Sequence, residues 1–365
     1  MAPPAPPRTS SVSVPGRVNL MGDHTDYNRG LVLPMAIDRW CEVVATPNGE
    51  AVVRARSAQL AGTAEIALDR DLDPRVVEPA WARFVAGTIA ALRAHGHPVD
   101  TGVDLSISST VPPGAGLSSS SALSVALTLA LGRDTLPDVV DLAQLALDAE
   151  VRSTGVPGGL MDQIVVLAGR RDTALVIDFA GERAVSRPVA LPPNAAVLVA
   201  HCGKSRTLAG SAYADRRAEC EAIAAQLGLA SLREASMERV RDDPRARHVV
   251  TENARVVAMV DACEAGDIAR MGELMLDSHA SLRDDFEVST PELDALVAAF
   301  VSAGASGARL TGAGFGGCVV AIAAQDQAEA VLAEATNRYR NATGQEGTSF
   351  VAQSVDGALI APSES

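Results

Sequence analysis

The stretch VPPGAGLSSSSAL, residues 111–123, connects a predicted strand to a predicted helix. The preceding GVDLSIS, residues 102–108, alternates apolar and polar positions as a half-buried strand does. The following ALSVALTLALG, residues 122–132, is apolar on nearly every side, which indicates a buried helix. Gly114 and Gly116 let backbone N–H groups approach an anion, and a helix start adds free donors and a favourable dipole. The stretch predicts a phosphate-binding loop, with a plain turn and serine N-cap as the alternative.

Four consecutive serines, Ser118 to Ser121, follow these glycines. Their hydroxyls can donate to phosphate oxygens or coordinate a hard cation such as Mg²⁺. The Gly-Lys-Ser/Thr of a Walker A loop is missing from this stretch, so a phosphate would be held in another way.

A second polar cluster is GRVNLMGDHTDY, residues 16–27. The carboxylates of Asp23 and Asp26 can accept hydrogen bonds from paired hydroxyls, and His24 can donate or accept. Arg17 supplies a fixed positive charge suited to a phosphate. A sugar matches this inventory, whereas a surface turn and a metal site built from the two aspartates and the histidine remain alternatives.

A third cluster is GVPGGLMDQ, residues 155–163, with Asp162 at the predicted start of a helix. An acidic residue there can simply complement the helix dipole. With a phosphate loop elsewhere in the chain, it can also orient or accept the proton of an attacking hydroxyl. Glu150 lies at the end of an amphipathic helix, where it is either solvated or, if it faces the serines, a partner for Mg²⁺.

The rest of the chain indicates an α+β protein of two lobes, residues 1–190 and 191–365. We expect a helix to begin near Trp81 and residues 213–303 to be mainly helical. LTGAGFGGCVVAI, residues 310–322, precedes a strand, and its glycines serve either tight packing or closure over phosphates. Short strands are expected at LVLPMAI (31–37), CEVVAT (41–46), AVVRARS (51–57), TALVIDF (173–179) and AAVLVAH (195–201).

Composition excludes several classes of protein. With 47% hydrophobic residues the chain has enough apolar material for a sizeable core, and no apolar run approaches the roughly 18 residues of a membrane span. The net charge of -14 opposes binding to nucleic acid or to an anionic membrane. Five scattered cysteines, without CxxC spacing, suggest neither a disulfide framework nor a zinc site. The opening MAPPAPPRTSS lacks the apolar core of a secretory signal, so we expect a cytoplasmic protein.

In this order and spacing, the clusters resemble the galactokinases of the GHMP small-molecule kinase family. GRVNLMGDHTDYNRGLVLPMAI (16–37) is similar to the galactokinase signature, PPGAGLSSSSAL (112–123) to the phosphate loop and LTGAGFGGC (310–318) to the C-terminal glycine motif. Further likeness lies in WARFVAGTIAAL, GLMDQ, AYADRRAECE, HVVTENARV and LMLDSHASLRDDFEVSTPELDALV, and covers most of the chain from about Ser13 onward.

The resemblance implies a two-lobed GHMP kinase fold with its active site in the cleft between the lobes. It implies that Arg17 and Asp162 are the catalytic pair, with Asp162 acting on the anomeric hydroxyl of the sugar as a base or as an orienting group. The other implied roles are sugar contacts for Asp23, His24, Asp26, Gly159 and Tyr213, ATP contacts for Trp81, Gly114, Gly116, Ser118, Ser119 and Ser120, and Mg²⁺ ligands for Ser119 and Glu150. A core aromatic is the alternative for Trp81.

Three positions depart from the family pattern. Asp23 stands where the family usually has glutamate, Gly158 replaces a usual cysteine, and Arg206 replaces a usual histidine. Because Arg17, Asp162 and the serines remain, these departures bear on sugar specificity more than on reaction type.

The sequence thus predicts a monomeric, ATP- and Mg²⁺-dependent kinase that makes galactose 1-phosphate. N-acetylgalactosamine or galacturonate are alternative substrates. A sugar-binding regulator without catalysis is an alternative from another class, although the intact serine loop and aspartate speak against it.

Overall fold

A six-stranded sheet forms the base of the amino-terminal half in the computed structural model, which describes residues 9–71, 73–132, 138–204 and 209–362. Arg206 lies outside these residues. The strands are, in their order across the sheet, β13 (Leu359–Pro362), β1 (Ser10–Asn19), β3 (Pro34–Pro47), β6 (Val103–Ser109), β4 (Val52–Ser57) and β5 (Thr63–Ala67). The apolar residues of β6 are buried and Asp104 is exposed, which confirms the predicted alternation.

Two findings on this sheet differ from the sequence prediction. LVLPMAI and CEVVAT do not form separate strands, because most of both lies in the continuous strand β3, which pairs with β1 on one side and β6 on the other. Strand β1 was not predicted, since Pro15 and Gly16 interrupt its pattern; the structure accommodates them with a register shift between these residues. A Cβ on Gly16 would lie 2.8 Å from the Leu117 carbonyl oxygen, so glycine allows β1 to pass directly beside the serine loop.

Four α-helices in the described part of this half accompany the six-stranded sheet. They are α1 (Arg83–Ala94), α2 (Ser119–Gly132), α3 (Val139–Thr154) and α4 (Met161–Ala168). Helices α2 and α4 pack on β1 and β3, while α1 packs against α2 and α3. The predicted helix near Trp81 is confirmed as α1, and α2 is buried along most of its length, as its composition indicates.

The carboxy-terminal half contains a four-stranded antiparallel sheet and the predicted helical region. The strands, in sheet order, are β10 (Gly307–Leu310), β11 (Cys318–Ala324), β9 (Ala195–His201) and β12 (Ser349–Ala352). The helices are α5 (Ala209–Gln226), α6 (Met237–Val240), α7 (Pro244–Ala265), α8 (Ile268–Asp284), α9 (Pro291–Ser302) and α10 (Ala328–Thr343).

A small sheet and a shared core join the two halves. Strands β2 (Leu31–Val32), β7 (Thr173–Asp178) and β8 (Val185–Ala190) form the sheet, and α7 packs against it. One apolar cluster combines Val18 and Met21 with Met259 and Val320, and β13 returns to pair with β1. The lobe boundary near residue 190 therefore stays a prediction. Among the described residues, none of the helices combines the length and apolar character needed to cross a membrane.

Candidate active site

An ion pair between β1 and α4 lies at the centre of the site. Arg17 Nε donates to Asp162 Oδ1 at 2.7 Å, and its Nη2 donates to Oδ2 at 2.6 Å. The third guanidinium nitrogen, Nη1, donates to the Gly116 carbonyl oxygen at 2.6 Å. The Ser118 hydroxyl also donates to Asp162 Oδ2. The structure therefore brings the arginine, the aspartate and the serine loop together, although they are far apart in sequence.

The serine loop adopts the unusual backbone that its glycines predict. Gly114, Gly116 and Ser118 have φ of +69°, +79° and +61°, in the left-handed region. For Ser118 this conformation is uncommon, and it accompanies the hydroxyl contact to Asp162. Helix α2 begins at the next residue, Ser119, so that its free N–H groups follow directly.

Glu150 faces the serine helix rather than solvent. Its Oε2 accepts hydrogen bonds from the Ser121 hydroxyl at 2.9 Å and from Gln163 Nε2 at 2.8 Å, and the Ser120 hydroxyl also contacts it. Burial raises the pKa of Glu150. The hydroxyls beside the acid thus come one and two residues later than the Ser119–Glu150 pairing predicted.

Asp26 and Gly159 lie in direct contact. A Cβ on Gly159 would lie 1.5 Å from Asp26 Oδ2, so only glycine lets the carboxylate occupy this position. Burial raises the pKa of Asp26 to about 6, and the negative charges of Asp162 and Asp23 add to the effect.

His24 is held in an aromatic cluster. Its Nε2 lies 3.2 Å from the Ala313 carbonyl oxygen and donates to it, because a carbonyl only accepts. In the neutral imidazole, Nδ1 then accepts from the Tyr27 hydroxyl at 2.9 Å. The imidazole centroid lies 5.6 Å from the ring of Tyr213 and 4.7 Å from that of Phe286. The ring is therefore fixed from both halves of the chain.

These groups enclose one cleft of about 320 Å³. The predicted site residues that line it are Arg17, Asp23, His24, Asp26, Ser120, Glu150, Gly159, Asp162 and Tyr213. Gly312 and Ala313 of the C-terminal glycine motif complete its wall. That motif contacts residues 23 and 24, since the Gly312 N–H donates to Asp23 Oδ1 at 3.1 Å and the Ala313 carbonyl oxygen lies 3.2 Å from His24 Nε2.

The remaining predicted nucleotide residues lie outside this cleft. Gly116 contacts Arg17 and Ser118 contacts Asp162, while a Cβ on Gly114 would meet open space. Trp81 packs at the edge of the amino-terminal core, where its Nε1 donates to the Ala61 carbonyl oxygen at 3.1 Å. Its contact with adenine stays a prediction.

The oxygen ligands around Glu150 fit a hard cation better than those of the alternative metal site at Asp23, His24 and Asp26. The described residues contain no group of three or more histidine, cysteine or acidic side chains placed to hold a metal. Near Glu150, hydroxyl and carboxylate oxygens meet, and Gln163 Oε1 is a buried acceptor that has no hydrogen-bond partner in the described structure. Mg²⁺ takes few protein ligands of this kind and fills its shell with phosphate and water.

Comparison with known proteins identifies the family. Residues 5–47 match the galactose-binding signature of galactokinases, residues 83–170 the GHMP kinase N-terminal domain and residues 259–341 the GHMP kinase C-terminal domain. A galactokinase of Roseiflexus sp. (strain RS-1) is 43% identical over 364 residues, covering 95% of this chain and 91% of the relative. The chain belongs to the galactokinase family of GHMP kinases.

A solved galactokinase shares the structure. The crystal structure of Lactococcus lactis galactokinase complexed with galactose has a TM-score of 0.87 and 33% identity, covering 96% of this chain and 95% of that one. Methanococcus jannaschii mevalonate kinase, at 18% identity, has a TM-score of 0.70 and covers 97% of this chain and 100% of its own, which shows a shared fold alone. Membership of the GHMP kinase family implies ATP as the phosphoryl donor.

The sequence reasoning missed a buried network behind the galactokinase signature. Asp23 Oδ1 accepts from Asn19 Nδ2 at 3.0 Å, and Oδ2 pairs with Arg309. Arg309 also lies 3.8 Å from Glu252 of α7. The available signal was an arginine one residue before the glycine motif, and a Glu-Asn pair inside a stretch that already resembled the family.

Proposed function

We propose that this protein transfers the γ-phosphoryl group of ATP to the anomeric hydroxyl of galactose, producing galactose 1-phosphate and ADP. The observation that carries the proposal is the position of the Arg17–Asp162 pair, which contacts the serine loop through Gly116 and Ser118 and opens into the cleft. A phosphate site and a carboxylate that can face a hydroxyl are then adjacent, as phosphoryl transfer requires.

In the proposed reaction, the anomeric oxygen forms a bond to the γ-phosphorus while the bond from that phosphorus to the bridging oxygen of ADP breaks. Asp162 orients the hydroxyl and accepts or guides its proton. Arg17 holds both carboxylate oxygens at 2.6–2.7 Å, which fixes the orientation of Asp162. Its fixed positive charge also stabilises the charge that develops on the transferred group.

The sugar is expected to lie against the opening loop and α5. Asp26 supplies a carboxylate acceptor, Gly159 leaves room for it, and Tyr213 and His24 present aromatic surface and polar edges. Asp23 stands at the inner wall of the same region. Galactose is favoured as the substrate by the signature match over residues 5–47 and by the galactokinase relatives.

Glu150 and Ser120 are proposed to hold Mg²⁺, with Ser119 retained as the ligand that the resemblance implies. Bound there, Mg²⁺ would neutralise charge on the phosphates of ATP. Gly114, Gly116 and Ser118 are proposed to border the phosphates, and Trp81 the adenine.

Two further expectations belong to this proposal. All five cysteines are free and buried, in keeping with a reducing cytoplasm. A monomer is the proposed active form.

The testing experiment measures ADP release by the purified protein with galactose, N-acetylgalactosamine and galacturonate, each with and without Mg²⁺. We expect Mg²⁺-dependent turnover that is fastest with galactose. If the protein phosphorylates N-acetylgalactosamine and not galactose, N-acetylgalactosamine is the substrate. Gly158 supports that candidate, because it lines the cleft without a side chain and a Cβ there would meet only Leu147 Cδ1, at 3.1 Å. No turnover with any sugar would favour the binding regulator.

A further inference from the structure

One face of α7 binds the backbone of residues 22–31, the loop that carries His24 and Asp26. The contacts are His248 Nε2 to the Asp23 carbonyl oxygen at 3.1 Å, the Gly22 N–H to Glu252 Oε1 at 2.9 Å and the Leu31 N–H to Asn253 Oδ1 at 2.7 Å. Three side chains of one carboxy-terminal helix therefore determine the path of an amino-terminal loop.

Arg309 joins these backbone contacts to the side chain of Asp23. It is the largest fully buried side chain among the described residues. Its Nη2 pairs with Asp23 Oδ2 and lies 3.8 Å from Glu252 Oε1, while Nη1 donates to the Asn19 carbonyl oxygen at 3.4 Å. The Arg309 guanidinium thus contacts Asn19 in the strand before the loop and Asp23 within the loop, and it lies near Glu252, which accepts from the Gly22 N–H.

The network is balanced in charge. Asp23 and Glu252 are matched by Arg309 and Arg255, and Arg255 Nε donates to Glu252 Oε2 at 2.7 Å. An unpaired buried charge is costly, so removal of any one member disturbs the others.

Asp23 and Asp26 differ in how many hydrogen bonds their carboxylates already accept from the protein. Asp23 already accepts from Asn19, Gly312 and Arg309, and is only 2% exposed. For Asp26, the described protein contact to the carboxylate comes from the Tyr27 backbone. Acceptor capacity for a ligand therefore remains at Asp26.

We propose that Arg309 is a positioning residue for sugar binding, which acts through Asp23 and Glu252 to fix the loop that presents His24 and Asp26. In this account Asp23 supports the sugar site from behind and is not its main hydrogen-bonding group. The inference rests on the proposed function, because its effect is measured as sugar affinity.

The test is a double-mutant cycle on Arg309→Met, Asp23→Asn and the two combined. Each single variant is expected to raise the KM for galactose by about tenfold or more, with the KM for ATP within about twofold of the wild type. Because Arg309 acts through Asp23, the double variant should raise the galactose KM no more than the worse single variant. Multiplying effects would overturn the proposed coupling.

Two further variants separate positioning from loss of stability. Arg309→Lys keeps the charge and one donor, and should recover part of the galactose KM lost in Arg309→Met. Ile66→Ala, in the outer strand β5, is the matched control for destabilisation, since Ile66 is buried far from the loop along the sheet. It should lower the melting temperature and leave both KM values unchanged.

If Arg309→Met does not fold, Asp23→Asn and Glu252→Gln carry the test. Glutamine keeps an acceptor for the Gly22 N–H but removes the charge. Unchanged galactose KM in both variants would overturn the inference, whereas a selective rise in either, with ATP KM unchanged, supports it. A wild type that phosphorylates no sugar would instead refute the proposed function, so the two failures are distinguishable.

Discussion

Two arginine–aspartate pairs lie beside the same cleft, and they differ in how far their side chains are exposed. Arg17 and Asp162 form a bidentate pair in which the Asp162 side chain is 22% exposed and faces open space. Arg309 and Asp23 form a pair that is 0% and 2% exposed and is surrounded by further donors and charges. An accessible charged group can act on a ligand, whereas a fully buried one can only stabilise the structure around it.

Substitution of Asp162 in the accessible pair gives the largest expected effect. Asp162→Asn should lower kcat by about a thousandfold, with a much smaller change in the galactose KM, because the amide can no longer act on the hydroxyl proton. Steady-state kinetics of the variant against wild type check this. Near-normal turnover would show that the accessible pair is not the catalytic one.

Two adjacent glycines sharpen the assignment of Asp26. Gly159→Ala should raise the galactose KM by about a hundredfold or abolish activity, since the new Cβ would displace the Asp26 carboxylate. Gly158→Ala is the matched control, because its Cβ meets only the flexible end of Leu147 at 3.1 Å; we expect a change of at most about threefold. Equal effects of the two substitutions would contradict the role given to Asp26.

Substitutions at Ser119 and Ser120 test which serine helps Glu150 to hold Mg²⁺. The structure places the Ser120 hydroxyl at Glu150, whereas the family resemblance implies Ser119. Ser120→Ala should increase the Mg²⁺ concentration for half-maximal activity by about tenfold, and Ser119→Ala by less, because Ser120 contacts Glu150. A Mg²⁺ titration at saturating ATP and galactose measures both. A larger effect of Ser119→Ala would favour Ser119 and Glu150 as the Mg²⁺ ligands, as the family resemblance implies.

The smallest effect concerns the ionisation of Asp26. Its pKa of about 6 in the folded protein lies above the ordinary value of 3.8, so the folded state binds more protons between these values and stability falls as pH rises through that window. At pH 7, Asp26→Asn should therefore have a free energy of unfolding that is larger than that of the wild type by on the order of 1 kcal/mol, after allowing for partial exposure. Its unfolding temperature should be higher accordingly.

The same pKa predicts a pH dependence of sugar binding. In the wild type, the galactose KM should rise as pH falls below about 6, because the protonated carboxyl of Asp26 accepts hydrogen bonds less well. Thermal unfolding at pH 7 and KM measured from pH 5 to 8 check the two effects. A variant less stable than wild type, together with a flat KM profile, would contradict them.

The sequence predicted the parts of the site that depend on local chemistry. The strand, serine loop and buried helix over residues 102–132 follow from alternation, glycine content and apolar periodicity, and Asp162 follows from its position at a helix start. Residues 31–46 were divided wrongly because the partners of β3 on both sides, and not local propensity, keep that strand continuous.

Arg309 could not be assigned from the sequence for a different reason. It stands in a short apolar strand, and its partners Asp23 and Glu252 are 286 and 57 positions away. Only the fold brings these charges together, and a buried charge is tolerated only with such partners. The same holds for the orientation of Glu150, which depends on how α3 packs against α2.

The most direct test of the central claim is a phosphorus NMR time course of the purified protein with ATP, Mg²⁺ and galactose, run beside Asp162→Asn. The account predicts that the γ-phosphate signal of ATP is replaced, at equal amounts, by the signal of galactose 1-phosphate, and that the variant leaves ATP intact. Appearance of inorganic phosphate instead of the sugar phosphate, or equal conversion by the variant, would contradict it.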